Sequence, residues 1–273
     1  YVSNFPVDFI TARAFASTSD WYTAARITGT KEYLLNSSAA ASGGSCYTFD
    51  DNTGAWQCSS SNASEAWMWK RHAGFDVVAY TGNGSSSNRE IAHSLNKAPQ
   101  MILIKSRSNA QPWAVYHSSQ GAGKYFDGIG TGAISTGDTR FGGVEPTSTH
   151  FYLGTGGDVN YENYTYIAML FASVEGISKV GSYTGTDADI NLSLGLTPRL
   201  FIVKMADGTG SWHVFDTLRG ITGSGAPRLE LNDSGAQNTS AHYVEPYTNG
   251  IKIVESGAAL TDSGKTYIYY AHA

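Results

Sequence analysis

Charge is scarce in this chain. Asp, Glu, Lys and Arg make up 15% of its 273 residues, against the roughly 25% of an ordinary soluble domain. The net charge is −5 and no basic stripe is visible, which argues against a nucleic-acid partner, since phosphate must be neutralised by clustered Lys and Arg. No apolar run approaches the ~18 residues that a membrane-spanning helix needs, so membrane insertion is not expected. Nothing sustains a 3.6-residue apolar period over three turns, and helix should be nearly absent. Also missing are Cys-x-x-Cys, His-Glu-x-x-His and a complete EF-hand loop, the usual metal signatures. No Gly-x-Ser-x-Gly elbow joins a strand to a helix. No cofactor is expected. The chain opens at Tyr1, not at an initiator Met, so processing or a longer product is expected.

What is abundant points to β structure. There are 31 Gly, 17 Tyr and 11 Phe, with much Ser and Thr, and short Val/Ile/Tyr/Phe runs are bounded by Gly, Asn, Asp and Pro. Hydrophobic residues reach 41%, enough for packed cores.

Internal repetition organises these runs. Pro99, Lys105, Trp113 and Gly121 recur 99 residues later as Pro198, Lys204, Trp212 and Gly220, with no gap between them. A third copy lies near the start, where Trp21 precedes Gly29 by the same eight residues and Arg13 stands in the place of the two lysines. Tyr80-Thr81-Gly82 and Tyr183-Thr184-Gly185 open the later copies, and Val144-Glu145-Pro146 and Val244-Glu245-Pro246 read as turns within them. The fold class expected is all-β: tandem β-sandwich modules of about a hundred residues, spanning 1–73, 74–176 and 177–273. Repetition implies a rigid spacer in which each module touches chiefly its neighbours. The first copy lacks the Tyr-Thr-Gly strand, so upstream residues or a neighbouring chain are expected to supply it.

Candidate chemistry is thin. His117 stands where the other copies carry Asp216 and Ala25; one position with three chemistries reads as surface loop, not as catalytic machinery. Glu145 and Glu245 would be the pair for glycoside hydrolysis, yet acid and base need different environments, and these two share one place before Pro. Asp187-Ala188-Asp189 and Asp50-Asp51-Asn52 offer oxygen ligands for Ca²⁺, but Asp and Asn are also ordinary turn residues. Gly121-Ala122-Gly123-Lys124 leads into Tyr125-Phe126 and not into a helix, which excludes a phosphate loop. Trp21, Trp113 and Trp212 read as core anchors; the competing reading is a row of rings stacked on sugars. With Lys105, Lys204, Gly29, Gly121 and Gly220 they form the architectural set. Cys46 and Cys58 flank a strand–turn–strand pattern and are either a disulfide across a hairpin or two free thiols. The chain is not expected to be an enzyme.

Several phrases carry a family resemblance. Trp21-Tyr22-Thr23-Ala24-Ala25-Arg26-Ile27-Thr28-Gly29, Trp67-Met68-Trp69-Lys70-Arg71, Phe75-Asp76-Val77-Val78-Ala79-Tyr80-Thr81-Gly82 and Trp212-His213-Val214-Phe215-Asp216 resemble a tandem-repeat β domain of bacteriophage tail and tail-fibre proteins, many of them marine. The resemblance spans nearly the whole chain and is weakest over Lys124 to Gly143. It implies a virion structural protein on the outer surface of the particle: a tail-fibre, appendage or capsid-surface element. Its partners would be other virion proteins, copies of itself in a homo-oligomer, and host-surface glycan. It implies no catalytic residues. The alternatives are a bacterial or environmental adhesin or filament subunit, and a polysaccharide depolymerase.

Overall fold

The computed structural model describes residues 3–43, 48–49, 65–72, 74–223, 225–240, 242–255 and 260–273. Cys46, Cys58 and Asp50-Asp51-Asn52 lie outside them. The chain is all-β, and every strand pairing is antiparallel.

The first sheet contains β1 (Phe9–Arg13), β2 (Tyr22–Ala25), β3 (Lys31–Leu34), β4 (Ser42–Gly43) and β5 (Glu65–Trp69), in the order β4-β3-β2-β1-β5. The chain continues through β6 (Phe75–Thr81), β7 (Arg89–Ala92), β8 (Met101–Ser106), β9 (Ala114–His117), β10 (Lys124–Asp127), β11 (Ser135–Thr136), β12 (His150–Leu153), a single helical turn α1 (Gly157–Asn160) and β13 (Thr165–Phe171). Of these, β11-β10-β9-β8-β13-β6 form the second sheet, and β12 pairs with β7. Last come β14 (Ser178–Thr184), β15 (Ile190–Ser193), β16 (Leu200–Met205), β17 (His213–Asp216), β18 (Leu229–Glu230), β19 (Val244–Tyr247), β20 (Gly250–Ile253) and β21 (Thr266–His272). The third sheet runs β14-β21-β16-β17-β18, beside a smaller sheet β15-β20-β19.

The three main sheets share one register. Phe9 lies opposite Ala25 and Trp69 in the first. Met101 lies opposite His117 and Phe171 in the second, and Leu200 opposite Asp216 and His272 in the third. After β2, β9 and β17 the chain turns through Gly29, Gly121 and Gly220, at φ +63°, +83° and +107°. An L side chain is strained in that region, so glycine is required.

Side chains alternate between two faces of a strand, and both faces of β8 and β16 are buried. That is why these strands read as unbroken apolar runs. Phe201 and Val203 face Val244, Ile251 and Ile253 across a sandwich; Ile102 and Ile104 face Ile91, Phe151 and Leu153 in the same way. The opposite faces meet each other. Trp21, Trp67 and Trp69 from the first sheet, Trp113, Val115 and Met169 from the second, and Trp212, Val214 and Tyr270 from the third form a single buried cluster.

Two sets of bonds close the sheets around that cluster. The amide of Ala41 donates to the carbonyl of Arg107, that of Ile134 to Ala206, and that of Gln237 to Phe15. Lys105 donates to the carbonyl of Ser38 at 2.8 Å and Lys204 to that of Thr131 at 3.4 Å. Arg13 reaches the carbonyls of Asp233 and Ser234 at 3.0 and 2.9 Å. Each set runs first to second, second to third and third back to first. The expected rigid spacer of modules that touch chiefly their neighbours is therefore replaced by a closed ring, in which the first sheet also meets the third. The cause is physical: each main sheet has an apolar inner face that another such face must cover, and three of them cover one another.

One local expectation also changes. Val244-Glu245-Pro246 is not a turn but part of β19, paired to β20. As the outer strand of its sheet, β19 tolerates a proline that has no N–H to donate.

Candidate functional site

The register shows where the first sheet departs from the others. Beyond β13 and β21, on the side away from β8 and β16, lie β6 and β14. No described strand holds that position beside β5. A groove of about 1180 Å³ runs there instead, lined by Glu65 to Lys70 and, across from them, by Leu200, Asp216, Leu218, Arg219 and His272.

At its floor sits an acidic pair around one guanidinium. Glu65 opposes Arg13 in the β1–β5 ladder, a position filled by Ile167 opposite Lys105 and by Ile268 opposite Lys204. The carboxylate thus occupies an inward-facing, apolar register position. Asp216 ends β17, where His117 and Ala25 end β9 and β2. Its Oδ1 accepts from the Arg219 amide at 2.9 Å and its Oδ2 from Arg219 Nε at 2.6 Å. Arg219 Nη2 donates to the Val214 carbonyl at 3.1 Å. Glu65 Oε2 lies 3.2 Å from Arg219 Nε, but that N–H is directed at Asp216. Glu65 is thus engaged by Arg219 and Asp216, and among the described residues Arg219 Nη1 is buried without an acceptor. Burial, and then the neighbouring Asp216 carboxylate, push Glu65 up to about 8. Burial thereby favours the protonated carboxyl, the form that can donate as well as accept.

Aromatic side chains flank the acids. Trp67 packs on Trp21 with ring centroids 5.3 Å apart. The Trp69 indole donates to the Tyr270 hydroxyl at 3.1 Å, and that hydroxyl lies 2.9 Å from His272 Nδ1. Leu218, 76% exposed, stands at the rim.

The residues singled out from sequence are placed as follows. Trp21, Trp113 and Trp212 are 0%, 1% and 2% exposed, so they offer no row of faces to a sugar. Lys105 and Lys204 are fully buried, and burial alone lowers each to about 8. His117 is not in a surface loop. It is fully buried at the end of β9, with Nε2 facing the Tyr269 carbonyl of the third sheet, and burial lowers it to about 4. Glu145 and Glu245 do not meet. Glu145 accepts from the Tyr116 hydroxyl and the Ala122 amide, whereas Glu245 pairs with His242 and Lys252. Asp187 accepts from the Ser263 amide and Asp189 pairs with Lys252. Lys124 begins β10. Among the described residues no three His, Cys, Asp or Glu side chains converge on one point.

Sequence reasoning passed over Glu65 and Arg219. The readable signal was Glu65, a charged residue where the sister strands carry isoleucine. Finding it required aligning β5 by its pairing to β1.

No curated protein and no solved structure shows a match to the chain. A family profile does match, over residues 51–273, which includes the whole of the second and third sheets and β5 of the first. The chain belongs to the family described as a domain of unknown function (DUF7483).

Proposed function

We propose that the chain is a structural component of a bacteriophage particle, a tail-fibre, appendage or capsid-surface element that faces the exterior and contacts host-surface glycan. The observation that carries this reading is where the recurrent residues lie. Trp21, Trp113, Trp212, Arg13, Lys105 and Lys204 are all buried in or beside one shared core, so recurrence maintains shape. Three sheets with a common register fit a duplicated unit of about a hundred residues, and the Trp-strand and Tyr-Thr-Gly phrases resemble phage tail repeats. A ring closed on itself is a stiff element suited to an assembled particle, where its partners are other virion proteins and further copies.

Sedimentation of purified particles tests the reading. Antibody against the chain should follow DNA-filled heads through a density gradient. Its recovery with cell-surface filaments and not with particles contradicts the virion reading and favours the adhesin.

The acidic pair at Glu65 and Asp216 is the one feature that favours a depolymerase, because two adjoining carboxyls, one of them pushed up by burial, are the equipment of acid–base catalysis. Arg219 binds Asp216 tightly, and this arrangement fits ligand holding better. Incubation with host polysaccharide decides the matter: chain length should be unchanged, and a rise in reducing ends contradicts a non-catalytic role.

A further inference from the structure

We infer that the turn at 161–164, between α1 and β13, is a platform for a neutral pyranose unit of a glycan. The Tyr161 ring stacks on the sugar, and Glu162 and Asn163 beside it bond the hydroxyls.

The backbone sets this platform up. The Tyr164 amide donates to the Tyr161 carbonyl at 3.2 Å, and Asn163 takes φ +64°, a conformation that asparagine tolerates better than most side chains. Closing the turn brings its first and last residues together, and their rings lie 4.5 Å apart, tilted by 42°. Tyr164 is half-buried against the cluster that holds Phe151 and Tyr166, while Tyr161 is 56% exposed. The Tyr161 amide donates to the Tyr166 hydroxyl at 2.8 Å. The Gly82 amide donates to the Tyr164 carbonyl at 2.7 Å, and the Asn163 amide to the Gly82 carbonyl at 3.0 Å. The rings therefore stand on a fixed base.

The third sheet carries the same turn with different side chains. The Lys265 amide donates to the Asp262 carbonyl at 3.1 Å, Gly264 takes φ +73°, and the Asp262 amide donates to the Tyr267 hydroxyl at 3.2 Å. Asp262 and Lys265 thus stand where Tyr161 and Tyr164 do, so the turn needs neither ring for its shape. A side chain that the fold does not require, exposed on a rigid loop, is available for recognition.

The chemistry selects a sugar. A phenol offers an apolar face to the C–H side of a pyranose and a hydroxyl at its rim. Glu162 and Asn163 are exposed, and among the described residues their side chains engage no other. A carboxylate accepts from vicinal hydroxyls, and an amide both donates and accepts. Glu162 disfavours an anionic sugar. Two rings on one turn present far less than the roughly 800 Å² that a stable protein partner covers.

This inference rests on the glycan-contacting reading above and gives it a place. The full chain is titrated with cellohexaose, mannohexaose and galactohexaose, followed by saturation-transfer NMR and by the tyrosine ring shifts. At least one hexaose should bind saturably and shift the Tyr161 ring. Tyr161→Asp, which copies the third sheet, and Tyr161→Ala should each weaken binding about tenfold or more at an unchanged unfolding midpoint. Tyr161→Trp, with a larger face, should retain it. If a hexaose binds Tyr161→Asp and Tyr161→Ala as well as the parent, the platform is overturned while glycan contact stands. If no hexaose binds the parent, both are overturned.

Discussion

Trp113 donates its indole N–H to the carbonyl oxygen of Leu34 at 2.9 Å, across the seam between the second sheet and the first. Trp21 does the same to the carbonyl of Glu230 at 2.7 Å, across the seam between the first and the third. Trp212 completes the circuit differently: it packs edge-on against Phe126 of the second sheet at 5.2 Å, and among the described residues its indole nitrogen has no acceptor. The three tryptophans are thus one device with two hydrogen-bonded copies and one van der Waals copy.

This asymmetry gives a graded prediction. Truncating any of the three to Ala should cost about 3–5 kcal/mol, the usual loss for a large buried aromatic. Substitution by Phe separates them. Trp113→Phe and Trp21→Phe each remove a hydrogen bond that crosses a seam and should lose about 0.5–1.5 kcal/mol more than packing alone dictates, whereas Trp212→Phe should not. Denaturant midpoints of the three Phe variants check the order.

A second prediction concerns the buried lysines. Lys105 and Lys204 lose their protons near 8 in the folded chain, against 10.5 when unfolded. Between those values the unfolded chain holds more protons, so stability rises with pH from about 8 to 10.5. Lys105→Met and Lys204→Met should each flatten that rise in urea titrations, and the double variant should flatten it further.

Glu65 acts in the opposite sense. Its folded value is raised to about 8 from 4.5, so its contribution is fully present below 4.5 and is lost as pH rises through 8. Glu65→Gln should therefore remove a decline in stability between pH 4.5 and 8. An unchanged pH profile in that variant would show that Glu65 titrates normally.

Much of the architecture was legible because the same spacings recur along the sequence. The spacing from Lys105 to Trp113 to Gly121 places a cation, a ring and a left-handed turn at fixed steps along two paired strands, and each spacing recurs intact. Closure was not legible. Alternation along β16 shows that Leu200 and Phe201 face opposite ways, but not that the Leu200 side meets Trp69 and Trp113 rather than solvent. Burial of His117 and Asp216 was missed for the same reason: a polar strand end reads as exposed until a third sheet covers it. The proline in Val244-Glu245-Pro246 suggested a turn because its missing N–H disqualifies it from a central strand, and an outer strand escapes that rule. The groove was hidden because it exists only where the first and third sheets meet.

Heating the full chain in a calorimeter tests the shared core most directly. Three sheets closed on a single core should unfold in one transition, with calorimetric and van't Hoff enthalpies equal, and Trp212→Ala should shift the whole of it. Two or three separable transitions, with Trp212→Ala moving only one of them, would contradict the ring.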